Sequence, residues 1–148
     1  MPLNLQIVTA EKTVFNDDVD MVVVPGSDGV LGILPRHAPL LSALKPGELH
    51  YRRGGEVTYL AIGGGFVEVL NNKVIILADS AERSEEIDLE RAEAARRNAE
   101  QTLQNRGQMS PEQLAAAEAS LRRALVRIEI VTRRRGGRTG VPSRIPEE

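Results

Sequence analysis

Glycine and aromatic residues run out near the same position in this 148-residue chain, and that boundary limits what each part can fold into. Phe15, Tyr51, Tyr59 and Phe66 are the only aromatics, and nine of the 13 glycines lie before Phe66. Between Phe66 and Arg135 the only glycine is Gly107, while nine alanines fall from Ala92 to Ala124. Glycine-studded sequence suits tight turns between short strands, whereas an Ala, Glu and Arg-rich stretch suits helix. The chain is therefore read as a β region over 1–83, a helical region over 84–132 and a basic tail over 133–148 that is expected to be disordered.

Composition removes several function classes. With 19 Lys+Arg against 21 Asp+Glu, net charge gives no global pull toward nucleic acid or a membrane surface. The absence of cysteine excludes disulfides, thiolate metal sites and cysteine nucleophiles. The longest strictly apolar run, Val74-Ile75-Ile76-Leu77-Ala78, is far short of the ~20 residues of a membrane-spanning helix. No basic and apolar leader opens the sequence, which is expected of a mature cytoplasmic chain.

In the β region, residues 3–8 alternate apolar and polar side chains, the period of a half-buried strand. Residues 22–24 close at Pro25-Gly26 and residues 31–34 close at Pro35. Two hairpins are marked, 48–53 with 56–62 around Gly54-Gly55 and 66–70 with 73–77 around Asn71-Asn72. Seven to ten short strands at such spacing predict a small β-sandwich or barrel. The run Gly63-Gly64-Gly65 precedes a strand rather than a helix, so it suits a close backbone approach better than a phosphate loop.

The helical region opens with Asp88 as a cap and predicts a first helix to about Gln104, stopped by Arg106-Gly107. Ser110-Pro111-Glu112-Gln113 restarts a second helix, expected to run to about Thr132 and to end at Arg133-Arg134-Arg135-Gly136-Gly137. A short connection makes the two an antiparallel hairpin. The seam draws on Leu89, Ala92, Ala95 or Ala99 and Leu103 against Leu114, Ala117, Leu121, Ala124 or Leu125, and Ile128. Alanine methyls bury little, at ~0.8 kcal/mol per carbon. Such a pair does not cover its ordering entropy alone, so it is expected to dock elsewhere and to be able to leave.

Residues suited to chemistry are sparse. His37 and His50 are the only histidines, and no Ser, His and Asp arrangement suggests a nucleophile, so neither catalytic residues nor metal ligands are assigned. His37 reads as a turn residue that hydrogen-bonds backbone or as a contact to a partner. Asp17, Asp18 and Asp20 lack the glycine and distal Glu of a calcium loop and read as a solvated acidic turn. Asp88 and Arg91 open helix one, and Arg123 and Arg127 lie four apart on helix two. Converging guanidiniums suit a polyphosphate, but solvated arginines paired to Glu93, Glu118 or Glu129 fit the same spacing.

The stretch Val24-Pro25-Gly26-Ser27-Asp28-Gly29-Val30-Leu31-Gly32-Ile33-Leu34-Pro35-Arg36-His37-Ala38-Pro39-Leu40-Leu41 closely resembles the signature of the F-type ATP synthase epsilon subunit. Agreement continues through Leu44-Lys45-Pro46-Gly47, Ile62-Gly63-Gly64-Gly65-Phe66-Val67-Glu68-Val69 and Val74-Ile75-Ile76-Leu77-Ala78-Asp79, covering residues 3 to about 132. The resemblance implies an α+β chain: an N-terminal flattened β-sandwich or barrel of about ten short strands, then a C-terminal antiparallel two-helix hairpin.

It further implies a non-catalytic central-stalk subunit, peripheral on the cytoplasmic face of the bacterial membrane, without direct membrane insertion or nucleic acid. Its β domain would bind the gamma subunit and the c-ring, through a contact loop that includes Val30, Leu31, His37, Ala38, Pro39 and Leu40. Many relatives carry a carboxylate at the position of Val30. The hairpin would be a relocatable arm that inhibits ATP hydrolysis by extending toward the catalytic beta subunits. Arg122, Arg123, Arg127, Arg133, Arg134 and Arg135 would form its basic face. No cofactor is required, but ATP is implied as a regulatory ligand. Ile87-Asp88-Leu89-Glu90-Arg91-Ala92 matches the motif through which some bacterial members bind ATP on the folded hairpin, with Glu82 upstream and Arg123 and Arg127 on helix two. A basic residue that the pattern places later in helix one falls near Asn98 or Ala99 here, beside Arg96 and Arg97. The competing function is a free-standing ATP-sensing module, for which the 24–41 block would have no use.

Overall fold

The computed structural model describes residues 2–137, with side chains described as far as Arg133. The chain divides into two compact units, one ending at Arg83 and one beginning at Ser84.

The first unit is a single sheet of ten strands: β1 (Leu3–Val8), β2 (Thr13–Val19), β3 (Met21–Gly26), β4 (Gly29–Ile33), β5 (Leu40–Leu44), β6 (Gly47–Arg53), β7 (Glu56–Ile62), β8 (Gly65–Leu70), β9 (Lys73–Ala78) and β10 (Ala81–Arg83). Their order is β10-β7-β6-β3-β5-β8-β9-β1-β2, with β4 attached to β3. Neighbours are antiparallel except β1 and β9, which run parallel from Asn4↔Lys73 to Val8↔Leu77.

Side-chain alternation explains the layers. Leu3, Leu5 and Ile7 of β1, Val22 and Val24 of β3, Leu49 and Tyr51 of β6, and Val74 and Ile76 of β9 are all buried in one core cluster. One face of one sheet can enclose one core only by coiling back on itself, which gives the nearly closed sandwich. Side chains draw β2 back to β6: the Phe15 and Tyr51 rings lie 4.3 Å apart, and Arg53 pairs with Asp17 at 3.0 Å. Arg83 donates to the Val14 carbonyl at 3.3 Å and to the Tyr51 hydroxyl at 3.4 Å.

Several turns follow their residues. Asn71 and Asn72 adopt φ of 52° and 64°, the left-handed pair that a two-residue hairpin turn demands. Gly65 sits at φ 134°, and a Cβ there would run into the Leu77 carbonyl oxygen. The three-glycine run is therefore a close backbone approach. The acidic-turn reading of Asp17 and Asp18 is corrected: both lie within β2, paired to β1 through Leu5↔Asp17 and Asn4↔Asp18. Their side chains are exposed at an end strand, so composition hides the ladder on the strand's other edge. Asp20 follows β2 and accepts the Gly54 N–H at 2.9 Å.

In the second unit, a single helical turn at Ser84–Glu86 leads to α1 (Leu89–Leu103), and another at Arg106–Gln108 leads to α2 (Pro111–Gly137). The Asp88 carboxylate accepts the Arg91 N–H at 3.2 Å, capping α1. Ser110 and Gln113 exchange hydrogen bonds of 2.9 and 3.1 Å, the reciprocal box that opens α2. The helix passes its expected end near Thr132 and reaches Gly137, because arginine is a good helix former and the stop signal starts only at Gly136. Residues 138–148, and the disorder expected of them, lie outside the described residues.

The helices pack on each other in opposite directions, with a groove between them lined by Ala95, Ala99 and Thr102 on one side and Gln113, Ala117 and Ser120 on the other. Ala92, Ala99, Leu103 and Ala124 are buried, and of the two candidates at 124–125 it is Leu125 that stays exposed. Ile130 and Val131 are also buried, beyond the expected seam.

Candidate functional site

Three surfaces are candidates, and each lies within one unit. The first is the 30–40 segment. Val30 is 71% exposed at the start of β4, opposite Pro25 across the β3–β4 hairpin. His37 lies past the other end of that strand, in a turn closed by its N–H on the Leu34 carbonyl at 3.2 Å. Four strand steps, about 13 Å, separate Val30 from Leu34, so the segment does not gather into one patch. The His37 Nδ1 is 2.7 Å from the Ala38 carbonyl oxygen, a contact in which the ring nitrogen is the donor. The adjacent Arg36 takes φ 69°, and its N–H reaches the Asn72 side chain at 2.8 Å. Ala38 and Pro39 are exposed, whereas Leu31 and Leu40 pack against the core.

The second surface was not singled out from sequence. Leu41, Phe66 and Leu77 stand 73, 55 and 56% exposed on the outer side of β5, β8 and β9. Register places Ala43, Phe66 and Leu77 in one row across the three strands, and Leu41, Glu68 and Ile75 in the next. The signal was present in the alternation of 66–70: with Val67 and Val69 buried, Phe66 must face out. Exposed large apolar side chains clustered on one face mark a docking surface better than scattered ones do.

The third surface is the hairpin. Ile87 and Ala92 are buried, Asp88 spends a carboxylate oxygen on its cap, and Arg91 is exposed on α1. The groove sets Ala95 near Ser120, and stepping one turn along both antiparallel helices carries Arg91 toward the level of Ala124. Arg91 thus belongs to the end of the hairpin that holds Arg123 and Arg127, which are half-buried and lie four apart on one face. Arg122 is a quarter turn away, on the stripe of Glu129 and Arg133, which pair at 3.7 Å. The described basic residues therefore form two stripes rather than one. The side chains of Arg134 and Arg135 lie outside the described residues. Glu82 is half-buried on β10, opposite Ala61, in the other unit.

Among the described residues no group of three or more His, Asp or Glu side chains is placed to hold a metal ion, and no helix is long and apolar enough to cross a membrane.

Comparison with known proteins agrees with this architecture. Residues 2–84 match the family model described as "ATP synthase, Delta/Epsilon chain, beta-sandwich domain". Residues 85–132 match that described as "ATP synthase, Delta/Epsilon chain, long alpha-helix domain". The chain is 56% identical over 135 residues to the ATP synthase epsilon chain of Herpetosiphon aurantiacus, covering 91% of this chain and 98% of that one. It is 52% identical over 130 residues to that of Chloroflexus aggregans, covering 88% and 92%. Among solved structures, a chain in the cryo-EM structure of the Euglena gracilis mitochondrial ATP synthase (OSCP/F1/c-ring) superposes with TM-score 0.71 at 24% identity, covering 82% of this chain and 76% of that one. One in the Tetrahymena thermophila mitochondrial ATP synthase (central stalk/c-ring) gives 0.62 at 18%, covering 89% and 98%. At those identities the likeness is one of fold.

Proposed function

The chain belongs to the ATP synthase delta/epsilon chain family, and from that premise we propose that it is a non-catalytic central-stalk subunit of a proton-translocating F-type ATP synthase. It couples the catalytic head to the c-ring rotor and inhibits ATP hydrolysis through a relocatable helical arm. Its partners are the gamma subunit, the c-ring and, with the arm extended, the catalytic beta subunits. It works peripherally at the cytoplasmic face of the bacterial membrane, without inserting and without nucleic acid.

The observation that carries this reading is the contrast in how the units are held. The strand unit encloses one continuous core of large aliphatic side chains, whereas the helical unit buries three alanines and only Ile87, Leu103, Ile130 and Val131 among its larger side chains. Each helix also carries its own cap, so it keeps its hydrogen bonds if it moves as a body. Val30 and the outer face of β5, β8 and β9 give the strand unit apolar surface to offer neighbours in the stalk. The test adds the full chain, or a version ending at Arg83, to catalytic heads that lack it. The full chain lowers ATP hydrolysis and the short version does not; equal effects would sink the arm proposal.

Within this role ATP acts as a regulatory ligand of the hairpin. Support comes from Arg91, Arg123 and Arg127 at one end of the antiparallel pair, with Ile87, Asp88 and Ala92 in the motif register. Planar guanidiniums bind phosphate oxygens in pairs. Calorimetric titration of the chain with ATP should show saturable binding that Arg91→Ala removes. A flat titration at millimolar ATP rejects the site and, with it, the alternative of a free-standing ATP-sensing module.

A further inference from the structure

We propose that Arg36 is a docking residue for a carboxylate on a neighbouring protein subunit, and that Asn72 is the residue that positions it. The proposal rests on the stalk role above and adds two residues to it, neither of them a contact residue expected from the resemblance.

Among the described residues three that are not glycine take a positive φ: Asn71 and Asn72 in their hairpin, and Arg36 at 69°. Asparagine tolerates that region because its short side chain bonds locally, but arginine gains nothing there. The cause is the turn. His37 donates its N–H to the Leu34 carbonyl at 3.2 Å, so residues 34–37 close a four-residue turn. Pro35 fixes φ at the first corner, and the positive φ at the second makes the turn type II, where glycine fits without strain. A strained corner persists only where its surroundings hold it. Here the holder is Asn72, 36 residues away, whose Oδ1 accepts the Arg36 N–H at 2.8 Å. The Asn72 Nδ2 donates to the Pro2 carbonyl at 2.8 Å, and the Asn72 carbonyl accepts the Asn4 N–H at 3.1 Å. The corner is thus tied at once to the start of β1 and to the β8–β9 hairpin.

What this fixed corner displays is a charge. The Arg36 side chain is exposed and makes no hydrogen bond or ion pair among the described residues. Leu34 beside it is 58% exposed, and Ala38 and Pro39 are exposed too. One guanidinium amid apolar surface suits a protein interface, where arginine is enriched and other charges are depleted. An anionic membrane calls for clusters of about four to eight basic side chains, and Arg36 is the only Lys or Arg in residues 26–41. A guanidinium fork meets a carboxylate through two parallel hydrogen bonds, and a corner already fixed loses less freedom on docking.

The test measures binding of the full chain to motor complexes from which this subunit has been removed, with the unfolding temperature of each variant alongside. Arg36→Gly should keep or raise the unfolding temperature, because relief of the corner offsets the freer unfolded chain, yet weaken binding about tenfold. Arg36→Lys, which keeps the charge but not the fork, should recover only part of that loss. Salt should weaken binding of the wild-type chain more steeply than that of Arg36→Gly. Asn72→Gly keeps the positive φ at 72 and removes both side-chain bonds. It should weaken binding of the wild-type chain and add nothing once residue 36 is glycine. If Arg36→Gly binds like wild type, the proposal is overturned and the stalk role stands. A binding loss that comes with a drop in unfolding temperature overturns it equally, since Arg36 then serves the fold. Additive losses reject Asn72 as the positioning residue. A wild-type chain that does not bind removes the stalk role and this proposal with it.

Discussion

In the strand unit Leu3, Leu5, Ile7, Leu49, Leu60 and Ile76 have no exposed surface, while the helical unit buries Ala92, Ala99 and Ala124 with only Ile87, Leu103, Ile130 and Val131 as larger side chains. Fully burying a large aliphatic side chain contributes about 1.5–3 kcal/mol, and an alanine methyl only about 0.8. The hydrogen bonds differ in kind as well. Strand ladders join residues as far apart as Asn4 and Lys73, so removing one strand strips its neighbours. Helix bonds stay within a turn, so α1 or α2 can shift without breaking them. One unit is built to hold its shape, the other to hold its parts while changing position.

That contrast breaks most readily in the strand core. Leu60→Ala should cost about 2–5 kcal/mol and lower the unfolding temperature of the strand unit by roughly 10 °C or more. Calorimetry combined with ellipticity at a helical wavelength tests it. If the helices melt with the strands in every variant, the two units form one cooperative body and the contrast fails. Gly65→Ala should follow at about 2–3 kcal/mol, since its methyl would run into the Leu77 carbonyl and the Ala78 Cα, both backbone. In the hairpin, Ser110→Ala or Asp88→Ala should remove about 1 kcal/mol each. The readout is helical ellipticity falling at lower temperature while the strand transition stays in place. The smallest effect belongs to Asp17→Asn: the exposed pair with Arg53 should contribute below ~0.5 kcal/mol and less in high salt. A larger loss there would mean that the β2–β6 seam depends on charge rather than on the Phe15–Tyr51 stack.

Features set by local chemistry were legible in the residues. The Asn71-Asn72 turn, the Asp88 cap and the Ser110–Gln113 box need only neighbours in sequence, and each forms as its residue types require. Features set by distant chain were not. β2 hides behind Asn16, Asp17 and Asp18 because its bonds go to β1, and β10 is three residues long and depends on β7. Ile130 and Val131 follow a helical stripe whose burial no local pattern assigns. The same limit applies to function. The 24–41 block identifies a family, but Leu31 and Leu40 turn out to serve the core. The outer face around Phe66 emerges only when three strands are laid in register.

The parallel pairing of β1 with β9 also sets a schedule. A ribosome delivers β1 first, and β2 can fold onto one of its edges at once, but the other edge waits for Lys73–Ala78. At about 5–20 residues per second that edge stays open for several seconds during synthesis. The last strands of this unit therefore complete it rather than extend it. Nascent chains released before residue 73 should remain protease-sensitive, whereas those that include 73–83 should resist; early resistance would mean that β1 finds a different partner first. The first strand made is among the last to be fully enclosed, and the alanine-rich arm is synthesised only after everything needed to enclose it.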